Sequence, residues 1–189
     1  VSLLAKGKNG RIIEGETNIA DTSFPIEKVF LKPDNCQPTF EAVQAIREAE
    51  LIILGPGSLY TSVIPNLLIK KIQKAIKESK GIKVYVCNVM TQTGETDGYS
   101  AFDHLKTLIK HTYPQIVNYC VINNAAVPEG LLTKYKQEKA YPVLSDTEKI
   151  KSKGYAVVEG EIIDTSDYVR HNPEKLSALL INLLQRNLI

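Results

Sequence analysis

A chain of 189 residues, 43% hydrophobic and 23% charged, is long enough to bury a sizeable core and fits one globular domain. A formal net charge of +2, with no basic stripe interleaved with aromatics, argues against nucleic acid as a partner. No apolar run approaches the roughly 18 residues of a membrane span and the start lacks a signal-peptide pattern, so the protein is expected in the cytoplasm, away from any membrane.

The chain opens on a strand pattern at Val1. Ser2 to Lys6 and Arg11 to Thr17 are predicted strands, joined through Gly7, Asn9 and Gly10, where Asn-Gly signals a hairpin. Ile26 to Leu31 is a third extended run after Pro25. Residues 1–33 thus read as an antiparallel segment set apart from the rest of the chain. After Pro38 the period changes, with Ala42, Val43, Ile46 and Ala49 on one helical face leading into the apolar run Leu51 to Leu54. That run suits a central parallel strand covered on both faces.

GPGS comes at once after it: Gly55 and Gly57 permit angles that a side chain forbids, Pro56 stiffens the turn, and Ser58 can cap the next helix. Free amides there suit an anion, although the same turn serves as an ordinary strand-to-helix connection. The helix after Pro65 places Leu68, Ile72, Ala75 and Ile76 inside, and Lys70, Lys71, Lys74 and Lys77 read as its solvated face. Lys83 to Cys87 is the next strand, and a polar loop then leads to a helix carrying Ala101, Leu105, Leu108 and Ile109. Tyr119 to Asn123 is another strand, followed by a helix around Glu129 to Gln137 started by Pro128. A Ser-Asp-Thr turn, a strand from Tyr155 to Val158 and a helix bearing Leu176, Leu179, Leu180, Leu183 and Leu184 complete the chain. Cys36, Cys87 and Cys120 lack CxxC spacing and read as reduced core residues.

Strand and helix alternate over 38–189, which predicts an α/β fold with a mainly parallel sheet between helical layers, a single domain over 1–189. In such a sheet the loops at 55–62, 88–99 and 123–129 leave from one edge and converge. The second holds Asn88, Thr91, Gln92, Thr93, Glu95, Thr96 and Asp97, amides and hydroxyls suited to a base edge or a sugar. Glu95 and Asp97 could hold a magnesium ion that bridges a diphosphate; alternatively Thr96 or Asp97 caps the helix near Tyr99. Asp103 and His104 invite an acid–base reading, but no serine or cysteine stands in a nucleophile motif beside them. Tyr135 offers a ring for stacking on a base, and Arg170 offers a guanidinium that can fork onto phosphate oxygens or a uracil carbonyl.

GPGSLYTSVIPNLL, YVCNVMTQTGETDGYSAFDHL and VRHNPEKL together resemble the bacterial gluconeogenesis factor family, the regulatory branch of a superfamily that includes 2-phospho-L-lactate transferase. The resemblance implies a Rossmann-like three-layer fold, a homodimer, and binding of UDP-sugars such as UDP-N-acetylglucosamine. It also implies a role in cell shape and cell-wall supply during gluconeogenic growth, with no catalytic residue and no required cofactor. Carried onto this chain, it places Gly55, Gly57, Ser58 and Leu59 at the phosphates, Asn88, Thr91 and Gln92 beside the ligand, and Tyr135 and Arg170 on the nucleotide. The GGGTG turn and DDGGSSG loop with which family sequences begin have no counterpart here, so the chain matches the C-terminal part of that fold. The alternative function is transfer of a phosphorus-containing group from a nucleotide-activated donor.

Overall fold

The computed structural model describes residues 1–22 and 24–187. Strands β1 (Ser2–Gly7), β2 (Ile12–Glu14) and β3 (Ile26–Lys32) form an antiparallel sheet in the order β2-β1-β3. Their first turn has Gly10 at φ 81°, the left-handed conformation that an Asn-Gly hairpin needs. Pairing stops at Glu14, short of the expected Thr17. Gly15 leaves the extended region at φ 96°, and Glu16–Ala20 coils into a short helix, α1, that carries Ile19 into full burial. Nor is this opening segment set apart. Ala5, Ile19, Ile26 and Val29 pack in the same cluster as Ile52, Tyr85 and Leu105, and the Val29 amide donates to His111 Nε2 at 3.1 Å.

Helix α2 (Phe40–Glu48) is capped by Thr39, whose hydroxyl accepts from the Ala42 amide, and leads into β4 (Leu51–Leu54). A wide π-helical turn, Leu59–Val63, then precedes α3 (Ile64–Leu67) and α4 (Lys70–Glu78), with the single helix expected after Pro65 interrupted at Leu68 and Ile69. The remaining elements are β5 (Ile82–Val86), α5 (Ala101–His111), β6 (Tyr119–Asn123), α6 (Glu129–Gln137), α7 (Thr147–Lys151), β7 (Ala156–Gly160), β8 (Ile163–Asp164), β9 (Arg170–His171) and α8 (Pro173–Asn187). Where the sequence reads as a plain turn after Ser145, α7 forms because its Ile150 is fully buried.

The order β4-β5-β6-β7 is parallel throughout, so the chain steps across the sheet in one direction. Right-handed crossovers in one direction put their helices on one face. Ile72 and Ile76 of α4, Leu105 and Leu108 of α5, and Ile150 of α7 accordingly share one cluster. The other face, Val84, Val86 and Val121, is covered by Leu176, Leu180 and Leu183 of α8, which completes three layers. Leu105 and Leu108 are wholly buried, and each contributes roughly 1.5 to 3 kcal/mol by its removal from water.

Two expectations about packing are corrected. Leu51–Leu54 is not central: β4 stands at the margin of the parallel sheet, paired only with β5 among the described residues, and Ile53 is 44% exposed. Cys87 and Cys120 are buried as expected, but Cys36, in the connection before α2, is only half-buried. No helix among the described residues is long and apolar enough to cross a membrane.

Candidate functional site

Parallel register fixes where the chemistry gathers. Because β4, β5 and β6 run the same way, the segments after Leu54, Val86 and Asn123 leave from the carboxyl edge of the sheet, and the hairpin of β8 and β9 brings Arg170 and His171 to it. Gly57, Ser58, Asn88, Gln92, Arg170 and His171 line one cleft of about 390 Å³. Its polar side chains form a chain: Asn88 Nδ2 donates to Gln92 Oε1 at 3.2 Å, and Gln92 Nε2 donates to Ser58 Oγ at 2.7 Å. Both ends of the Gln92 amide are thereby used to hold the two loops in register. The Ser58 hydroxyl, already an acceptor, keeps its proton to donate.

Arg170 is the one permanently charged side chain lining this cleft. Its Cζ lies 5.4 Å from the Tyr168 ring centroid, while Lys134 Nζ lies 3.7 Å from the same centroid, so the aromatic ring steadies the guanidinium. Tyr135 acts from behind. Its hydroxyl accepts from the Val169 amide at 3.1 Å and donates to the Val169 carbonyl at 3.4 Å, and its ring packs with Val89, Met90 and Val169. Tyr135 therefore braces the residue before Arg170 instead of lining the cleft. Burial lowers the pKa of His171, against the Cys87 carbonyl, which raises it, so the ring beside Arg170 favours its neutral form.

Several other residues singled out from the sequence serve the scaffold of the site. Gly55 adopts φ 85° and turns the chain out of β4, where an added Cβ would lie 3.0 Å from the Val86 carbonyl oxygen. Leu59 is wholly buried. Thr91 is 4% exposed; its amide donates to the Tyr141 carbonyl at 2.7 Å and its hydroxyl accepts from the Tyr141 amide at 2.9 Å. With the Val143 amide on the Val89 carbonyl and the Ala101 amide on the Leu144 carbonyl, both 2.8 Å, these bonds strap residues 140–146 across the loop after β5.

The two acidic candidates for magnesium are each bonded to the protein itself, Glu95 in the interior and Asp97 on the exposed part of its loop. Glu95 is 4% exposed, and its carboxylate accepts from the Tyr60 amide at 3.3 Å and from the Thr61 hydroxyl at 2.9 Å. It thus supplies the negative charge at the start of the π-helical turn, in the position that an external anion would take. Asp97 accepts from the Gly94 amide at 2.8 Å within its own loop. Neither lines the cleft, and no group of three or more His, Cys, Asp or Glu that could hold a metal ion occurs among the described residues. The cap of α5 also differs from expectation: Ser100 caps it in a reciprocal box with Asp103, while Thr96 Oγ1 accepts from the Gln92 amide. His104, wholly buried and hydrogen bonded at Nδ1 to the Ser100 carbonyl, belongs to the core.

Sequence reasoning missed His171, Met90 and Val169 in this cleft. The motif VRH is the available signal, because Val169 and His171 directly flank Arg170 in the chain.

Comparison with known proteins agrees with this architecture. A family model described as 2-phospho-L-lactate transferase CofD matches residues 1–163. The gluconeogenesis factor of Bacillus subtilis is 41% identical over 186 residues, covering 98% of this chain and 59% of its own length. A putative gluconeogenesis factor of Clostridium acetobutylicum is 43% identical over 189 residues, covering 97% of this chain and 42% of its own length. A crystal structure from Bacillus halodurans, titled a member of the UPF0052 family, superposes with a TM-score of 0.92 at 42% identity, covering 95% of this chain and 58% of that one. The chain thus spans about half the length of these relatives. With that family model matched over residues 1–163 of the chain, the chain belongs to the 2-phospho-L-lactate transferase CofD family.

Proposed function

We propose that this chain binds a UDP-sugar of the UDP-N-acetylglucosamine type in the Ser58–Arg170 cleft and regulates gluconeogenic growth, cell shape and cell-wall precursor supply without converting its ligand. The observation that carries the reading is the convergence of Ser58 and Gln92, from two loops, and Arg170, from strand β9, on one cleft of about 390 Å³. A guanidinium steadied on an aromatic ring, a hydroxyl with a proton to donate and a glycine turn open to backbone approach suit the oxygens of a diphosphate. In this reading no cofactor is required, magnesium arrives only with the nucleotide, and the protein works as a cytoplasmic homodimer. Glu95, buried against Tyr60 and Thr61, and Asp97, bonded within its own loop, both stand outside the cleft, which supports binding over metal-assisted transfer.

The name of the matching family model favours a second reading, transfer of a phosphorus-containing group from a nucleotide-activated donor. Calorimetric titration with UDP-N-acetylglucosamine, with and without magnesium, followed by chromatography of the nucleotide, separates the two. Saturable binding with the ligand recovered intact is expected; turnover of the sugar nucleotide moves the assignment to the transferase. Arg170→Ala is expected to weaken binding by about 1 to 3 kcal/mol, the scale of lost charge-assisted hydrogen bonds. Unchanged affinity in that variant removes Arg170 from the site.

A further inference from the structure

A cavity of about 250 Å³ lies where the opening antiparallel sheet meets α5, and it shares no lining residue with the Ser58–Arg170 cleft. Asp103, Lys106, Thr107 and Lys110, spaced so that one face of α5 carries them all, line it together with Lys8 of the β1–β2 turn and Glu27 of β3. Two tyrosines complete the lining. Tyr60, only 1% exposed, and Tyr99 bring their hydroxyl oxygens within 2.8 Å of each other. One proton serves the bond between them, so the other remains to be donated. The rings are held edge to face, 6.5 Å between centroids, with Tyr60 against His111 at 5.8 Å and Tyr99 against His104 at 5.5 Å. The hydroxyl pair is therefore fixed in advance of any ligand. Burial, and then the Tyr99 hydroxyl, push the Tyr60 hydroxyl well above its ordinary value, so it stays protonated.

The charges around this pair do not balance. Glu27 is taken by Lys6 at 3.4 Å, and the Asp103 carboxylate accepts from the Ser100 amide at 3.2 Å and from the Ser100 hydroxyl at 3.0 Å. Lys110 donates to the Glu27 carbonyl at 3.1 Å, which leaves its charge in place. Lys8, Lys106 and Lys110 thus face one cavity without a carboxylate partner among the described residues. We infer that this cavity is an anion site separate from the cleft, which takes a small phosphomonoester dianion on the Tyr60–Tyr99 hydroxyl pair and the Lys8, Lys106 and Lys110 ammoniums. The unspent polar groups of these residues are donors, which suits a phosphate dianion, an acceptor on every side. A sugar or an amide brings donors of its own, and both carboxylates that could receive them are used. A pocket of one sign of charge also concentrates its counter-ion. The volume admits a phosphate with a tail of a few carbons and lies below the roughly 300 to 1,000 Å³ of sites for larger ligands, so a sugar nucleotide is excluded. The inference is independent of what the cleft binds.

The test is calorimetric titration of the chain at its full natural length with glycerol 3-phosphate, inorganic phosphate and glycerol, at physiological salt and near neutral pH, where the phosphomonoester is mostly dianionic. Arg170→Ala serves as the background, because it removes the guanidinium of the cleft. Expected in that background is saturable binding of both phosphates and none of glycerol. Lys106→Gln and Lys8→Gln should each weaken it about tenfold, and Tyr99→Phe roughly fivefold. Lys8 and Lys106 are exposed, so their glutamine variants keep the fold, and phenylalanine at Tyr99 keeps the ring contacts. Loss of phosphate binding in Arg170→Ala itself puts the anion in the cleft and overturns the assignment. Binding that tolerates either lysine change overturns it too. So does binding that the lysine changes weaken and Tyr99→Phe does not, because the cavity is then no more than surface charge.

Discussion

Removal of Glu95 is the sharpest perturbation the site allows, because one side chain holds two loops through buried charge-assisted bonds. In Glu95→Ala the Tyr60 amide and the Thr61 hydroxyl lose their acceptor in a place that is 4% exposed at Glu95. Each orphaned donor costs about 1 to 2 kcal/mol, which gives roughly 2 to 4 kcal/mol in all. At this chain length that is a fall in Tm of roughly 4 to 15 °C. Glu95→Gln should behave differently. Its carbonyl can still accept from the Tyr60 amide, its NH2 can donate to Thr61 Oγ1 once that hydroxyl turns, and the burial of a charge is relieved, so a change within about 1 kcal/mol is expected. The pH dependence adds a second readout. Burial raises the Glu95 carboxyl above its ordinary value of 4.5, outweighing the hydrogen bonds from Thr61 and Tyr60 that lower it. A raised folded-state value means that protonation favours the folded protein. The stability due to Glu95 is therefore fully present below the unfolded value and is lost as pH rises through the folded one. Urea unfolding from pH 4 to pH 7 should show wild type losing ground to Glu95→Gln as pH rises. The opposite slope, or a glutamine variant as unstable as the alanine variant, refutes the argument.

Two further outcomes concern neighbouring groups. Tyr135→Phe removes both bonds to Val169, so a loss of roughly 1 kcal/mol in stability and a weaker grip on nucleotide through Arg170 are expected; thermal unfolding and calorimetry check them, and unchanged affinity means that Arg170 needs no brace. Burial pushes the Cys120 thiol up to about 12 and the Cys87 thiol well above its ordinary range, whereas Cys36 is half-buried. An aromatic disulfide reagent should therefore label Cys36 quickly and the other two only on unfolding, and fast labelling of all three would contradict this packing.

Periodicity made most of the architecture readable. Tyr119–Asn123 and Glu129–Gln137 occur where the apolar run and Pro128 put them, because a buried strand and a helix opened by proline announce themselves within their own residues. What the sequence conceals is what a run lies beside. Leu51–Leu54 reads as central from its four apolar residues, yet apolarity cannot say that only β5 pairs with it. The site shows the same division. Ser58, Asn88 and Gln92 converge because parallel strands must deliver their following loops to one edge, which is a matter of topology, whereas Arg170 arrives on the separate β8–β9 hairpin. Glu95 and Tyr135 are chemically eligible ligands whose actual partners, the Tyr60 amide and the Val169 backbone, lie 35 and 34 residues away. No local pattern encodes such distant partners.

The strap over residues 140–146 carries a kinetic consequence. Its bonds to Thr91 and Val89 join residues about fifty positions apart, and closing so long a loop is deferred until the strands between have paired. The strap should thus be the last part of the sheet's carboxyl edge to fold and the first to open, as its own small cooperative unit. Amide hydrogen exchange at Thr91 and Val143 should outpace exchange at Tyr85 and Val121 while the sheet stays closed. Equal rates at all four would tie the strap's opening to global unfolding.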